Sequence, residues 1–168
     1  GADVIKVEPI EGEPWRLQAP FFPLESKTFQ SLNRGKQSLS LNLTRPEAQA
    51  AIHRLMPTID VVVSNYRPDV PARLNIDYAT LSTIKPDLIY LDSTAFGREG
   101  PWANKGGYDI VVQGASGLTA SGGRFDENGN PILPGATATA DYATGYSIAW
   151  GVCAALFYRE RTGKGQLV

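Results

Sequence analysis

Two short apolar runs constrain the fold of this chain more than any other feature of its sequence. Ile59 to Val63 and Leu88 to Leu91 are almost continuously apolar, as is typical of strands that are covered on both faces in a parallel sheet. Between them, Pro68 to Leu74 and Tyr78 to Ile84 have the pattern of short helices. This alternation predicts an α/β fold with a doubly wound, mainly parallel sheet and helices on both faces.

Three further segments before Ile59 have a recognisable pattern. Asp3 to Val7 predicts a short strand, and Ser38 to Leu43 alternates between leucine and polar residues as a half-buried strand does. Pro46 opens a predicted helix that ends near Met56. The stretch from Pro9 to Ser31 is rich in proline and glycine, so it is predicted to be a loop with little regular structure.

A long apolar segment, Tyr146 to Tyr158, predicts a helix that is buried on most sides, with Gly145 and Gly151 allowing close approach. It is too short to span a membrane. Asp141 precedes it, after a Gly, Ala and Thr-rich approach from Pro134 to Ala140. A carboxylate there would face the unpaired N–H groups and the positive dipole end of the helix, which favour its ionised form. Asp141 could therefore act as a helix cap or as a nucleophile.

Polar or aromatic segments follow both apolar strands, at Ser64 to Arg67 and at Ser93 to Gly97. In doubly wound sheets, ligands bind beyond the carboxyl ends of the strands, so these segments are candidates for a binding site. The glycine-rich fingerprints of dinucleotide and P-loop sites are absent, as is the Gly-x-Ser-x-Gly elbow of serine hydrolases. The single histidine, His53, lies off the apolar stripe of its helix and is predicted to be a surface residue.

Composition excludes several classes of partner. Sixteen basic and 17 acidic residues give no net field that would attract nucleic acid. A single cysteine rules out a disulfide within the chain and a cysteine metal site, and it suits a reducing cytoplasm. Because the chain starts at Gly1 close to a strand, its natural N-terminus is expected to be missing.

Five blocks of sequence resemble, in the same order, the class III CoA-transferases, which are also called the CaiB/BaiF family and include the formyl-CoA transferases. The blocks are GADVIKVEP, NRGKQSLSLNL, DVVVSNYRPDVPARL, PDLIYLDSTAFGREGPWANKGGYDIVVQGASGL and GATATADYATGYSIAWGVCAALFYRERTGKGQ. Several blocks in register are more specific than any single motif. The resemblance implies a Rossmann-like large domain, coenzyme A as part of the substrate, no metal, and Asp141 as the catalytic nucleophile.

The resemblance also implies which residues contact coenzyme A. These positions are Leu41, Asn65, Tyr66, Arg73 and Leu74, with Tyr108 near the reactive end, and Arg34, Lys36 and Arg67 are further candidates for binding phosphate. Arginine pairs well with phosphate, and apolar side chains can cover the adenine. This chain departs from some family members at Thr44 and Gly106, where they have lysines.

The implied reaction is transfer of coenzyme A from an acyl-CoA donor to a carboxylic acid acceptor, through an aspartyl anhydride and an aspartyl-CoA thioester. An aspartate with a reference pKa of about 3.9 needs no general base for this. A related racemase branch has a histidine where this chain has Tyr108, whose reference pKa of about 10 makes it a poor base, which favours transfer. Two alternatives stay open: an acyl-CoA racemase or epimerase, and a non-catalytic CoA-binding homologue.

Finally, the resemblance implies that residues 1–168 form part of a large domain, with a second, smaller domain and the native N-terminus absent from this chain. Full-length family members form interlocked homodimers. The expected partners are therefore acyl-CoA, a carboxylate and a second copy of the chain in the cytoplasm, with no nucleic acid and no membrane.

Overall fold

The computed structural model describes residues 1–132 and 138–168, so part of the predicted Gly, Ala and Thr-rich approach lies outside the described residues. The strands in the described residues are β1 (Val4–Glu8), β2 (Pro20–Phe22), β3 (Glu25–Ser26), β4 (Lys36–Ser40), β5 (Val61–Ser64), β6 (Ile89–Asp92) and β7 (Gln166–Leu167). The helices there are α1 (Lys27–Asn33), α2 (Pro46–Leu55), α3 (Val70–Arg73), α4 (Tyr78–Ile84), α5 (Asp109–Ala115), α6 (Leu118–Ser121) and α7 (Thr139–Thr162). The chain divides into two compact units, Gly1–Ile52 and His53–Val168.

The first unit contains a parallel pair and a short antiparallel hairpin. Strand β1 pairs in parallel with β4, with Val4 opposite Lys36 and Glu8 opposite Ser40, and β2 pairs with β3. Both strands of the parallel pair were predicted, although β4 ends at Ser40 rather than at Leu43. Helix α2 begins at Pro46 as predicted.

The prediction of an irregular loop from Pro9 to Ser31 is wrong. This stretch contains a single 3-10 turn at Pro14–Arg16, the β2–β3 hairpin and most of helix α1. The hydroxyl of Ser26 accepts a hydrogen bond from the Phe29 N–H at 3.0 Å, which caps the start of α1. The serine cap favours a helix start in a segment whose four prolines and one glycine suggest a loop.

A three-stranded parallel sheet forms the centre of the second unit. Its order is β5, β6, β7, with Val61 opposite Ile89 and Ile89 opposite Gln166. Parallel pairing of strands separated by helices confirms the predicted α/β class. Strand β7, which the sequence pattern did not indicate, places β6 in the middle of the sheet.

Helices cover both faces of this sheet, as a doubly wound fold requires. Neighbouring residues of a strand point to opposite faces, so Tyr90 and Leu91 mark the two sides of β6. On one side, Tyr78 of α4 packs against Tyr90 with ring centroids 6.2 Å apart. On the other side, a Cβ added at Gly151 of α7 would lie 3.5 Å from a methyl carbon of Leu91.

Burial of the two apolar runs differs from the prediction in one strand. The residues from Leu88 to Leu91 are each no more than 5% exposed, so the prediction for β6 is confirmed. In β5, however, Val63 is 53% exposed. Because β5 is an edge strand of the described sheet, one of its faces is only partly covered.

Helix α7 approaches the sheet closely at a single predicted glycine. A Cβ at Gly151 would lie 3.2 Å from a methyl carbon of Val168, so a larger residue would push the helix away from the sheet. The space around Gly145 is open, and the prediction of close approach there is wrong. Helix α7 therefore packs closely against the sheet at its middle.

Arg159 fixes the far end of α7 to the amino ends of two strands. Its Nη1 donates to the carbonyl oxygens of Asp60 and Asp87, each at 3.3 Å, and its Nη2 lies 2.8 Å from Asp60 Oδ1. Asp60 immediately precedes β5, and Asp87 precedes β6 by two residues. Helix α7 thus runs antiparallel to the strands, and its N-terminal end points towards their carboxyl ends.

The prediction that this apolar helix is buried on most sides is wrong. Ala155 is buried, but Tyr146 and Trp150 are each 80% exposed. The sheet covers a single stripe of the helix, and apolar composition alone does not show which other faces have a neighbour. Within residues 1–132 and 138–168, no helix combines the length and the apolar character needed to cross a membrane.

A buried ion pair organises the first unit. The carboxylate of Glu8, which is 3% exposed, accepts hydrogen bonds from Arg16 Nε at 2.8 Å and Nη2 at 2.7 Å. It also accepts from the Ser38 hydroxyl at 2.5 Å and from the Glu13 N–H at 3.1 Å. The hydrogen bonds from Arg16 outweigh the cost of burial and hold the pKa of Glu8 down at about 2.

We expect the Glu8 carboxylate to make the free energy of unfolding depend on pH below 4.5. Because its pKa in the fold lies below the ordinary value of 4.5, its contribution is complete above pH 4.5 and is lost as the pH falls to about 2. The shift corresponds to roughly 3 kcal/mol, at about 1.4 kcal/mol per pKa unit. Glu8→Gln should lower the free energy of unfolding at pH 7 by a few kcal/mol and flatten its dependence on pH below 4.5, as measured by urea unfolding. The exposed Glu11→Gln is the control, and an unaltered acid dependence in Glu8→Gln would contradict the role of this pair.

Candidate active site

The two segments that were predicted to border a ligand follow adjacent parallel strands. The N–H of Ser93 donates to the carbonyl oxygen of Ser64 at 2.7 Å, so the segments leave the sheet side by side. Asn65 and Tyr66 come next along the first segment, and both are exposed. The carboxyl edge of the sheet therefore presents polar and aromatic groups to solvent, as predicted.

Two candidate phosphate-binding arginines share one acidic partner. Arg67 Nε lies 3.5 Å from Asp69 Oδ1, and Arg73 Nη2 lies 3.4 Å from Asp69 Oδ2. Their side chains are 52% and 68% exposed. Exposed ion pairs of this kind contribute little to stability, so either arginine can turn to a phosphate at small cost. Leu74, which ends this turn, is half-buried.

The long connection after β6 is held against the sheet edge. Arg98 makes an ion pair with Asp92 at the end of β6, and the Asp92 side chain is 3% exposed. Burial raises the pKa of Asp92, and the Arg98 charge opposes that rise. Farther along, the rings of Phe96 and Trp102 pack edge to face with centroids 5.3 Å apart. These contacts fix the path of the chain towards α5.

A glycine brings the start of α5 against this connection. A Cβ added at Gly107 would overlap the side chain of Ala95 and lie 3.4 Å from the ring of Phe96. Tyr108, the N-cap residue of α5, follows directly, and its side chain is 84% exposed. The predicted site residue Tyr108 is therefore at the carboxyl edge of the sheet, beside the segment that follows β6.

Asp109 connects the start of α5 to the start of α7. Its Oδ1 accepts a hydrogen bond from the backbone N–H of Asp141 at 2.9 Å. Its Oδ2 accepts a hydrogen bond from Nε2 of Gln113, a residue that is 5% exposed. The candidate nucleophile is thereby joined, through its own peptide group, to the residue that follows Tyr108.

Asp141 is the third residue of α7 and not its cap. The helix begins at Thr139 and the N-cap position is Ala138, which has no polar side chain. Partial desolvation, and then the charge of Asp109, raise the pKa of the Asp141 carboxyl. The pKa of Asp141 is thus shifted in the direction opposite to the expected one, because desolvation, and after it the like charge of Asp109, favour the neutral form.

The length of α7 indicates that Asp141 lies beyond the carboxyl ends of the strands. Asp141 precedes Gly151 by ten residues, which corresponds to about 15 Å of helix. Gly151 lies beside Leu91, the third of the four residues of β6. The exposed carboxyl of Asp141 therefore extends well past the carboxyl edge of the sheet.

The remaining candidates belong to the first unit. Arg34 is exposed and lines an open cavity of about 560 Å³. Lys36 Nζ donates to Asn33 Oδ1 at 3.1 Å, and partial desolvation and the charge of Lys6 lower the pKa of Lys36. Leu41 is half-buried just after β4, where its N–H still donates to a β1 carbonyl at 3.0 Å. Elsewhere, His53 Nε2 lies 2.7 Å from the Asn75 carbonyl oxygen, as suits a structural role.

Asp109 and Gln113 were not predicted from the sequence as site residues. A signal was available, because an acidic residue in the first turn of a helix with a glutamine four residues later is a favourable pair. Its connection with Asp141, 32 residues away, has no signature in the sequence. Among the described residues, no group of three or more His, Cys, Asp or Glu side chains is arranged to hold a metal ion.

Comparison with known proteins gives the same family across the whole chain. The model of "CoA-transferase family III" matches residues 1–168. A succinate–glutarate CoA-transferase from Agrobacterium fabrum is 40% identical over 99% of this chain and 43% of its own length. An acetyl-CoA:oxalate CoA-transferase from Acetobacter aceti is 39% identical over 98% of this chain and 42% of its own length.

Solved structures agree with the fold. A CAIB/BAIF family protein from Brucella suis superimposes with a TM-score of 0.88 at 35% identity, covering 100% of this chain and 45% of that protein. Rv3272 from Mycobacterium tuberculosis gives a TM-score of 0.86 at 36% identity, with 44% of its chain covered. This chain thus spans less than half the length of these relatives. The resemblance seen in the sequence is confirmed, and the chain belongs to CoA-transferase family III.

Proposed function

We propose that the full-length protein containing this chain transfers coenzyme A from an acyl-CoA donor to a carboxylic acid acceptor, with Asp141 as the nucleophile. The observation that supports this most is the exposed Asp141 carboxyl at the first turn of α7, anchored beside Tyr108 and Asp109. Family membership supports the class of reaction. Nucleophile and ligand edge meet at one end of a parallel sheet, as in other α/β enzymes.

The proposed reaction balances without transfer of a proton. A carboxylate oxygen of Asp141 attacks the acyl carbonyl carbon, the carbon–sulfur bond breaks, and coenzyme A leaves as a thiolate. The thiolate then attacks the Asp141 carbonyl carbon of the mixed anhydride, which releases the donor acid and forms an aspartyl-CoA thioester. An oxygen of the acceptor carboxylate then attacks the Asp141 carbonyl carbon, the carbon–sulfur bond breaks, and a second mixed anhydride forms with release of the thiolate. The thiolate attacks the acceptor acyl carbon of this anhydride, which gives the new acyl-CoA and releases Asp141 as a free carboxylate. A carboxylate nucleophile needs no general base to activate it.

The names of the relatives support a class of substrate, and the charges at the sheet edge support binding of coenzyme A. The names of related enzymes contain glutarate, oxalate and L-malate, which are all dicarboxylic acids. We propose a short dicarboxylate as donor or acceptor acid. Arg67 and Arg73 supply exposed guanidinium groups suited to the phosphates of coenzyme A. Their exposed ion pairs with Asp69 contribute little to stability, so each arginine can leave Asp69 to bind a phosphate.

A racemase or epimerase is the second candidate, because a raised pKa of Asp141 suits a group that exchanges a proton. Such an enzyme would exchange the hydrogen on the carbon next to the thioester carbonyl with solvent. Incorporation of deuterium at that carbon without transfer of coenzyme A to any acceptor would favour this candidate over the transferase.

We also propose that residues 1–168 are part of a larger catalytic domain that is completed by a second domain and by a second copy of the chain. The exposed aromatic side chains of α7, with Tyr146 and Trp150 each 80% exposed, support a covered face in the complete assembly. The covalent intermediates of the proposed reaction also need protection from water.

We expect Asp141→Asn to separate chemistry from folding. Asparagine has nearly the same size, and the Asp141 contact with Asp109 uses the backbone N–H, which the substitution keeps. Stability should therefore change by less than about 1 kcal/mol. An amide cannot form the anhydride, so turnover should fall by orders of magnitude while binding of coenzyme A persists. Steady-state kinetics with a panel of acyl-CoA donors and dicarboxylate acceptors, together with calorimetry for binding, measures both effects.

The control for this experiment is Asp126→Asn, which alters an exposed carboxylate that accepts backbone hydrogen bonds within its own turn. Its turnover should equal that of the unmodified protein. Substantial turnover in Asp141→Asn would exclude Asp141 as the nucleophile.

We expect Arg73→Ala to weaken binding of coenzyme A more than it slows the bound complex. A charge-assisted contact to phosphate is worth about 1.5 to 3 kcal/mol, which is roughly 10- to 150-fold in the dissociation constant. The matched control is Arg161→Ala. Arg161 is an exposed arginine near the C-terminal end of α7, whereas Asp141 lies near the N-terminal end. Titration calorimetry with coenzyme A measures the difference. An equal dissociation constant in Arg73→Ala and the unmodified protein would remove Arg73 from the binding site.

A further inference from the structure

Both oxygens of the Asp109 carboxylate accept hydrogen bonds, one from a donor on α7 and one from a donor on α5. One oxygen accepts a hydrogen bond from the Asp141 N–H, at 2.9 Å, across two helices. The other accepts from Nε2 of Gln113, one turn later on the same helix. A carboxylate with both oxygens engaged cannot rotate freely, so the contact with Asp141 has a fixed direction.

Gln113 is suited to hold Asp109 because it is itself immobilised. It is 5% exposed on helix α5, whereas Asp109 at the start of that helix is half-buried. A buried side chain that donates to a carboxylate fixes the rotamer of that carboxylate. By fixing the rotamer of Asp109, Gln113 also limits where the first turn of α7 can lie.

The first turn of α7 needs an acceptor from another part of the chain. The leading N–H groups of a helix have no partner within the helix, and the N-cap residue Ala138 has no side-chain acceptor. Asp109 supplies an acceptor to the N–H of the residue whose carboxyl is the proposed nucleophile. Because that N–H and the side chain share one Cα, fixing the peptide also limits where the carboxyl can lie.

We propose that Asp109, held by Gln113, is a positioning residue that fixes the first turn of α7 and so sets the place from which the Asp141 carboxyl attacks. This inference rests on the proposed transfer reaction, in which Asp141 is the nucleophile. Asp109 itself takes no covalent part, since its two oxygens are occupied by hydrogen bonds.

The charge of Asp109 works against its own role. A second carboxylate close to Asp141 contributes to the raised pKa of Asp141, after desolvation. The useful property of Asp109 is thus its ability to accept hydrogen bonds, and its charge is a cost. Asparagine separates the two properties, because its amide oxygen can accept from the Asp141 N–H while its charge is zero.

The test compares three variants of the full-length protein. Asp109→Leu removes both acceptor oxygens, Asp109→Asn keeps one and removes the charge, and Asp77→Leu is the matched control. Asp77 is the N-cap residue of α4, on the opposite face of the sheet, and it accepts a hydrogen bond from the Thr80 hydroxyl at 2.6 Å. The measurements are kcat, KM for the acyl-CoA donor, and hydrogen exchange of the Asp141 amide.

Asp109→Leu should lower kcat by about 100-fold, the loss expected when a reacting group is displaced by about 1 Å, with little effect on KM. Exchange of the Asp141 amide should become faster in the same variant. Asp109→Asn should restore both the turnover and the slow exchange, with the Gln113 amide turned so that its Oε1 accepts from the new side-chain amide. Asp77→Leu should match the unmodified protein in both. Rescue by asparagine would not be seen if Asp109 acted through its charge.

The outcomes that overturn the inference are distinct from those that overturn the proposed function. Normal kcat in Asp109→Leu, or a defect in Asp109→Asn equal to that of Asp109→Leu, overturns the positioning role while the transferase stands. Absence of transfer by the unmodified protein with every donor and acceptor overturns the proposed function and, with it, this role.

Discussion

The attachment of helix α7 across the parallel sheet determines where the rest of the second unit can lie. Arg159 ties one end of the helix to the residues that precede two strands, and Gly151 lets its middle approach Leu91 and Val168. The helix has 24 residues, or about 36 Å, whereas a strand of four residues spans about 13 Å. One helix therefore reaches from the amino ends of the strands to well beyond their carboxyl ends. The same element packs the sheet and carries the candidate nucleophile.

Opposing electrostatic effects meet at the N-terminal turn of α7. A helix dipole stabilises a nearby carboxylate by roughly 0.3 to 1 kcal/mol when the group is exposed. Desolvation, and after it the like charge of Asp109, act in the other direction and raise the pKa of Asp141. The two carboxylates have different surroundings: both oxygens of Asp109 accept hydrogen bonds, whereas Asp141 is exposed. This difference suits Asp109 to hold the turn and Asp141 to react.

The elements that the sequence predicts well are those with strong local signals. Helix α4 has the predicted limits, Tyr78 to Ile84, because a proline follows two residues later. Strand β6, Ile89–Asp92, contains most of the predicted apolar run Leu88 to Leu91. The capped helix α1 was missed because one serine that can cap a helix is a weak signal in a segment with four prolines and one glycine. Exposure of Tyr146 and Trp150 was also missed, since an apolar side chain does not reveal whether a neighbour covers it.

The candidate site divides in the same way. Asp141 could be named from its resemblance to a family motif, and the segments after β5 and β6 from the rule for ligand edges. The contact between Asp109 and Asp141 could not be predicted, because it joins two helices 32 residues apart and depends on the close approach of Gly107 to Ala95. Desolvation by neighbouring elements, and after it the charge of Asp109, raise the pKa of Asp141, and local sequence records neither of them.

The most direct test of the account is to locate the covalent intermediate. The full-length protein would be incubated with an acyl-CoA donor in the absence of an acceptor, treated with hydroxylamine, digested and analysed by mass spectrometry. We expect a hydroxamate at Asp141, because hydroxylamine cleaves both an anhydride and a thioester of that carboxyl. A hydroxamate at another carboxylate, or sustained transfer of coenzyme A with no adduct at residue 141, would contradict it.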